Sequence, residues 1–533
     1  MVTNPTYIVA IIVMSLSFVL AGQSVLAQNF GYNEYSDDSY SYNNEPRIDE
    51  RYVSDSYDSY YDDSYSYNKD PRIDKCYVSD SYDNYYDDSY SYNKDPRDDR
   101  DNKPGSPDPD CPNTLTSHPF SINTDMMRPV VYLIDPVSDT IITVDLSINP
   151  KYPPGSLPLH AVITPNGKKA FLSTMSSDTS PATILALDIN NIDWQAGKAD
   201  ITITNVIELA KSNTKPPTPP VQNRTDDDTQ PIIAKMWFPQ NVQIHGPSLH
   251  PTSKFAYFTE WTSNTIRILD VNKGTLAESD PIQYGYKTQW LHGVFFNPSG
   301  DKALAPKYHF EGNHLVLFDV DKETGQLSNP VEVKLGSESQ YAAFPHFVTW
   351  IDDSTAITST QQLGPTSFTP DNAKIIGPSV WLINTNKIGS DTEYPTEGSA
   401  TMIIAPTQSP DGNGIYKPAS DTTIVNTKLY VAEEDSMDKE INNDGHVSVW
   451  DISDITKPQL INRLSPGKGL PENFQLGHTI YSTPDNKFVY VEDWNSGQLV
   501  KIDTAIDQVI NVFNKENTGF EMPHGGFITG KYR

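Results

Sequence analysis

The chain has 533 residues, a formal net charge of -30 and only two cysteines. So acidic a chain repels phosphate, which excludes nucleic acid as a partner. Both thiols, Cys76 and Cys111, lie in the N-terminal part, so the rest of the chain cannot build a cysteine nucleophile, a zinc-thiolate site or a blue-copper site.

Tyr7 to Ala21 is an apolar run of signal-peptide length, and Val25-Leu26-Ala27 offers a small-residue cleavage site before Gln28. The expectation is a signal peptide over residues 1–27 and a protein that is secreted or held at the cell surface. Met1 to Thr6 carries no Lys or Arg, which leaves an uncleaved anchor as the alternative. No later stretch is long and apolar enough to span a bilayer.

Residues 28–121 are rich in Tyr, Asp, Ser and Asn, and Ser39 to Arg47 returns every 25 residues as Ser64 to Arg72 and Ser89 to Arg97. Too few aliphatic residues occur here to offset the entropy of ordering, so a disordered acidic region is expected. It could serve as an envelope spacer, a cation-binding brush, a tyrosine cross-linking tail or a plain solvated linker. Cys76 and Cys111 could pair with one another or form an intermolecular disulfide.

From Ile122 to Arg533 the pattern changes to repeated pairs of short alternating strands. The pairs are Val130 to Ile134 with Thr140 to Leu146, Ala170 to Thr174 with Thr183 to Ile189, and Phe255 to Trp261 with Thr265 to Val271. They continue as Ala303 to Lys307 with His314 to Val320, a degenerate Thr355 to Ser359 with Ser379 to Thr385, Lys428 to Glu433 with His446 to Ile452, and Phe488 to Trp494 with Gln498 to Thr504. Seven such units at this spacing predict an all-β, seven-bladed β-propeller. Met522 to Gly530 reads as an inner strand with no hairpin after it, so the C-terminal strand is expected to complete the first blade.

Lys487-Phe488-Val489-Tyr490-Val491-Glu492-Asp493-Trp494 resembles the signature strand of the YVTN-type seven-bladed propellers, over essentially all of 122–533. Phe318 to Leu327 is similar to a strand end of the lactonase-type propellers in the same superfamily. The resemblance implies the fold and leaves the activity open. Histidine before the inner strand, often as His-Gly, is common in both groups.

Here that histidine recurs six times: His160, His245, His292, His346, His478 and His524. Three copies stand six residues before a turn proline, at Pro251, Pro298 and Pro484. Counting back in the same way from Pro410 finds Ile404, so one blade is expected to lack the histidine. A closed ring would aim the six imidazoles at one channel mouth, where they could share a transition metal. Copper ranks first, because nitrogen-donor affinity among divalent first-row metals peaks there. Second strands end in Glu260, in Glu492 and Asp493, and in Glu433 and Glu434, so carboxylates are expected behind or beside the ligands, with Glu260, Glu492 and Asp493 orienting them. His250, His309, His314 and His446 fall off the pattern and are not expected ligands.

The arrangement is analogous to the histidine-lined copper hubs of nitrous oxide reductase and the selenium-binding proteins, without the downstream copper domain of the former. The leading expectation is therefore a copper-binding, redox-capable propeller. A surface module engaging an envelope protein or glycan, and a lactonase-like hydrolase acting on a small molecule, remain the alternatives.

Overall fold

The computed structural model describes residues 116, 118–175, 181–209, 244–260, 265–277, 282–283, 291–307, 313–336, 340–342, 344–361, 374–389, 398–434 and 445–530. These lie in a compact unit, Lys69–Arg533. The expected signal peptide, the 25-residue repeats, both cysteines and the Pro-rich insertion Lys211 to Gln243 fall outside the described residues. Among the described residues, no helix is long and apolar enough to cross a membrane.

Seven sheets of four or five strands, antiparallel except for the short edge strand Gly469–Leu470, form the blades of a propeller, with a small parallel pair beside them. Their inner strands, from blade one to blade seven, are Pro523–Ile528, Leu157–Ile163, Ile244–Leu249, Phe295–Phe296, Pro345–Trp350, Ala419–Val425 and Gly477–Ser482. The C-terminal strand is thus the innermost strand of blade one, pairing Ile122 with Phe527 and Thr124 with His524. The backbone seals this join on both sides, through Thr529 N to Phe120 O and Met126 N to Met522 O, each 3.0 Å. Closure by the last strand removes the free inner edge that would otherwise invite pairing with another chain.

Blade one differs in one detail from the sequence pattern. Its second strand is Ser121–Asp125, and the pair Val130–Ile134 with Ile141–Asp145 forms its two outer strands. The short polar run Ser-Ile-Asn-Thr-Asp carries no visible alternation, because every residue of it is buried between neighbours.

Burial follows distance from the axis. Inner and second strands such as Ile244–Leu249 and Phe255–Glu260 are buried at every position, since adjacent blades cover both faces. Outer strands such as Lys198–Glu208 alternate with solvent. The apolar core is accordingly divided into layers between blades. Tyr481, Tyr490, Leu499 and Phe513 of blade seven pack on Val130, Tyr132 and Ile528 of blade one, so the join is held by side chains as well as by backbone.

A register shift recurs at or beside the same point of six inner strands: around residues 122–124 opposite the last strand, 158–160, 245–248, 345–348, 419–421 and 477–480. A β-bulge re-aims one side chain out of the pleat. In this chain the residue at or next to each bulge is a hub histidine or, in blade six, Ser420.

Blade six corrects the expectation for the seventh position. Ile404 lies in Ala400–Ile404, the outermost strand of blade five, and is packed in the core between blades five and six. The true inner strand is Ala419–Val425, and its second residue, Ser420, holds the place that His478 holds in Gly477–Ser482. The proline ruler failed because this strand turns through Asn426 and Thr427 with no proline, Val425 pairing directly with Lys428 and Asn426 adopting φ 55°.

Candidate metal centre

The six histidines form a closed ring of neighbours. Ring centroids are 4.5 Å apart for His160 and His245, 4.7 Å for His245 and His292, and 3.9 Å for His292 and His346. The circuit continues at 5.0 Å from His346 to His478, 4.5 Å from His478 to His524, and 4.5 Å from His524 back to His160. All six are buried, with 0–8% of their surface exposed.

The glycine after the histidine is set by the same crowding. Gly246 has φ 48°, and a Cβ there would lie 1.8 Å from the carbonyl oxygen of His292. Gly525, at φ 75°, would place a Cβ 2.2 Å from Nδ1 of His160. His-Gly therefore brings one inner strand against the next, and the histidine is carried to the axis with it.

Burial, followed by the neighbouring hub imidazoles, holds His245, His292 and His346 well below the ordinary imidazole value of 6.5. His524 is lowered in the same way, by burial and then by His478. These side chains are neutral at physiological pH, which is the form that binds metal.

Two tautomers follow from the partners. Nδ1 of His346 donates to the backbone oxygen of Ser420 at 3.0 Å, and Nδ1 of His524 donates to that of Leu159 at 3.3 Å. A carbonyl only accepts, so each ring carries its proton on Nδ1 and keeps the Nε2 lone pair. This is the arrangement by which proteins orient metal-binding histidines. Nε2 of His160 lies 3.0 Å from Nδ1 of His245, one nitrogen donating to the other. Two nitrogens at that separation, each about 2.0–2.1 Å from one ion, would subtend roughly 95°. Among the described residues, however, no group of three or more His, Cys, Asp or Glu is placed so that it could hold a metal ion.

Blade six supplies a residue that sequence reasoning missed, Ser420. Ser420 Oγ lies 3.1 Å from Nδ1 of His346 and 3.1 Å from Nδ1 of His478, bridging those two rings. Gln361 Nε2 donates to Ser420 Oγ at 3.2 Å and to Glu434 Oε2 at 2.6 Å, while Glu434 Oε1 contacts Nδ1 of His478. Burial pushes the Glu434 carboxyl up to about 8. Because Ser420 and Glu434 both meet the same nitrogen of His478, the group is not a serine-hydrolase relay, in which nucleophile and carboxylate take opposite nitrogens.

The expected supporting carboxylates are placed as follows. Glu260 pairs with Arg267 at 2.5 Å. Asp493 accepts from the backbone of Gln475 at 2.7 Å and Leu476 at 3.0 Å, tying down the loop that enters the strand of His478. Glu433 does the same for Tyr416 and Lys417 before Ser420, as Asp125 does for Glu521 and Met522 before His524. Glu492 is fully buried beside Gly526. Trp494 stands 6.3 Å from His478 and 6.2 Å from His524, ring to ring. Off the hub, His250 donates from Nε2 to Gly300 O at 2.8 Å, and burial pushes it down to about 4. It joins blades three and four.

No protein-family model and no curated protein matches this chain. Solved structures with a similar fold include the periplasmic gluconolactonase of Pseudomonas aeruginosa, at 12% identity and a TM-score of 0.49 over 77% of this chain and 99% of that one. A hypothetical selenium-binding protein of Sulfolobus tokodaii aligns at 13% identity and a TM-score of 0.49, over 79% and 98%. Kuenenia stuttgartiensis hydrazine synthase aligns at 13% and 0.43, over 67% and 86%. At these identities no activity or ligand transfers to this chain.

Proposed function

We propose that this protein is an extracytoplasmic copper-binding propeller, with His160, His245, His292, His346, His478 and His524 as the donor set. The observation that carries the proposal is the closed ring of six buried imidazoles at the axis. Ser420 acts as an internal control: blade six closes with a hydroxyl at the same position, so closure of a blade does not require a histidine. The donors fit the metal in kind, being neutral nitrogen ligands without thiolates, a set for which copper competes best. Bound copper would supply one-electron redox chemistry. His346 and His524 present Nε2 with Nδ1 fixed on a carbonyl, and the surrounding blades exclude bulk water. The leader-like residues 1–27 support export, after which the protein meets the metal outside the cytoplasm.

The test is reconstitution of the full chain with Cu(II), removal of loosely held metal by a competing chelator, and measurement of stoichiometry and EPR nitrogen hyperfine structure. Retained copper with several imidazole couplings is expected, and it is lost when His245, His292 and His478 are changed together to alanine. Hyperfine structure separates the hub from the carboxylates of residues 28–121. A wild type that retains no copper, or a triple variant that retains as much, refutes the proposal.

A further inference from the structure

All six hub histidines are buried, so a ligand of the ring needs an element that moves aside to admit it. The chain from Ala405 to Pro418 crosses from the outermost strand of blade five to the inner strand of blade six, and it ends just before Ser420. Its base is closed by Thr407 N to Ile415 O at 2.7 Å and Ile415 N to Ala405 O at 2.9 Å, and Ile415 is rooted in the core between the two blades. Residues 408–411, at its tip, are exposed. Among the described residues, the polar contacts of the tip with blade six pass through one side chain. The guanidinium of Arg463 donates to the carbonyls of Pro410, Gly412 and Gly414, that of Gly412 at 3.1 Å. Its Nε lies 3.7 Å from Glu433 Oε1, and the two side chains are 5% and 0% exposed. Glu433 Oε2 in turn accepts from Tyr416 N at 2.9 Å and Lys417 N at 3.0 Å.

We infer that this segment is a strap over the hub side of blade six, held shut by the clamp of Arg463 and Glu433, and that its release is the way into the ring. The inference rests on the copper proposal only for the ligand admitted; the motion rests on the geometry. Position gives the first reason. Pro418 O accepts from Glu434 N at 2.7 Å, and Glu434 contacts Nδ1 of His478, so the end of the strap lies one residue from the hub. Lifting Tyr416 to Pro418 would loosen Ser420 and Glu434, the residues that touch His346 and His478. The kind of bond gives the second reason. The exposed tip is tied by charge-assisted hydrogen bonds to one guanidinium, so losing that group frees the tip while Ile415 stays in the core. Close internal packing gives the third. A Cβ at Gly412 would strike Thr407, and one at Gly414 would strike the Ala405 carbonyl, so the strap moves as one body about its base.

The experiment treats the metal-free full chain with diethyl pyrocarbonate, which modifies accessible imidazoles, and follows each histidine by peptide mass spectrometry. His118, with 47% of its side chain exposed, is the reference. Arg463→Met should speed modification of His346 and His478 about tenfold or more, the worth of a hydrogen bond to a charged group, and leave His245 near its wild-type rate. Hydrogen exchange over residues 405–418 should rise with it. Arg463→Lys keeps the charge, loses the fork and should fall between; it decides by the same ratios if the methionine variant does not fold. Faster exchange of the strap with unchanged modification of His346 and His478 overturns the inference, because the clamp then only holds a loop. Equal acceleration at all six histidines overturns it too, since that is loosening of the whole propeller. In a parallel arm, Arg463→Met should take up copper faster to the wild-type stoichiometry. A wild type that retains no copper refutes the copper proposal alone, and the modification rates still decide the strap.

Discussion

Acidification is expected to unfold this propeller through its own axis. In the folded protein His245, His292, His346 and His524 are held well below 6.5 by burial and by one another. In the unfolded chain they regain the ordinary value, so below pH 6.5 the unfolded state binds protons that the folded state refuses. The lowered folded value means that stability is present above pH 6.5 and lost as pH falls. Between pH 7 and pH 5 His250, pushed down to about 4 by burial, costs about 2 kcal/mol, and the four hub imidazoles add to the loss in the same direction. Glu434 opposes them: its carboxyl, near 8 in the folded state against an ordinary 4.5, takes up its proton in the fold and returns about 2–3 kcal/mol over the same interval. Asp493, also raised by burial, adds in the same direction as Glu434. The net expectation is that the metal-free protein loses stability from pH 7 to pH 5, because six lowered imidazoles, His250 and His314 among them, outnumber the two raised carboxylates. Urea unfolding at pH 7, 6 and 5, read as midpoint times m-value, measures it. A stability that is flat or rising from pH 7 to pH 5 would refute the idea that the ring is buried and neutral.

Three substitutions separate the roles assigned above. Gly246→Ala forces a Cβ toward the His292 carbonyl at a positive φ, and should cost about 3 kcal/mol or more in thermal or urea unfolding. A near-neutral effect would mean that the first strands do not approach so closely. His250→Ala removes the bond from blade three to Gly300 and should cost about 2–4 kcal/mol, while copper stoichiometry stays at the wild-type value. Ile404→Ala likewise should lose about 2–4 kcal/mol of core packing and no copper, because the residue sits between blades five and six and not at the axis; reduced copper in an otherwise folded variant would contradict that placement.

The propeller was legible because its second and third strands carry the period-two pattern at a regular spacing, and because the unpaired Met522 to Gly530 had to find a partner. Histidine spacing gave the register of six blades. What was not legible follows from burial on both faces: Ser121–Asp125 and Ala419–Val425 are wholly or largely sandwiched, so polar and apolar residues occur in them without alternation. Ser420 was missed for a second reason. A search for a repeated residue type finds the six positions that share it and passes over the one that differs, although the bulge at 419–421 puts that residue at the same place. Glu433 and Glu434 end one second strand and both read as carboxylates near the imidazoles, and only the strand register assigns Glu434 to the hub and Glu433 to the loop before Ser420.

That register bears on why the axis is built of imidazole at all. A blade needs a small polar group at its bulge and a way to meet the next strand, and blade six obtains both from Ser420 and its carbonyl. Where the chain uses histidine instead, it buries a ring with two nitrogens, accepts contact with two other rings, and becomes unstable to mild acid. Six repetitions of that cost at one axis give bonds between blades, as His346 gives to Ser420 and His524 to Leu159, and leave Nε2 of both rings a lone pair. Under the copper proposal a further return would lie in binding: a metal ion would bring ring nitrogens to a common partner and turn the acid sensitivity into a pH-dependent affinity, since the protons that unfold the empty ring are the ones that would compete with copper for it.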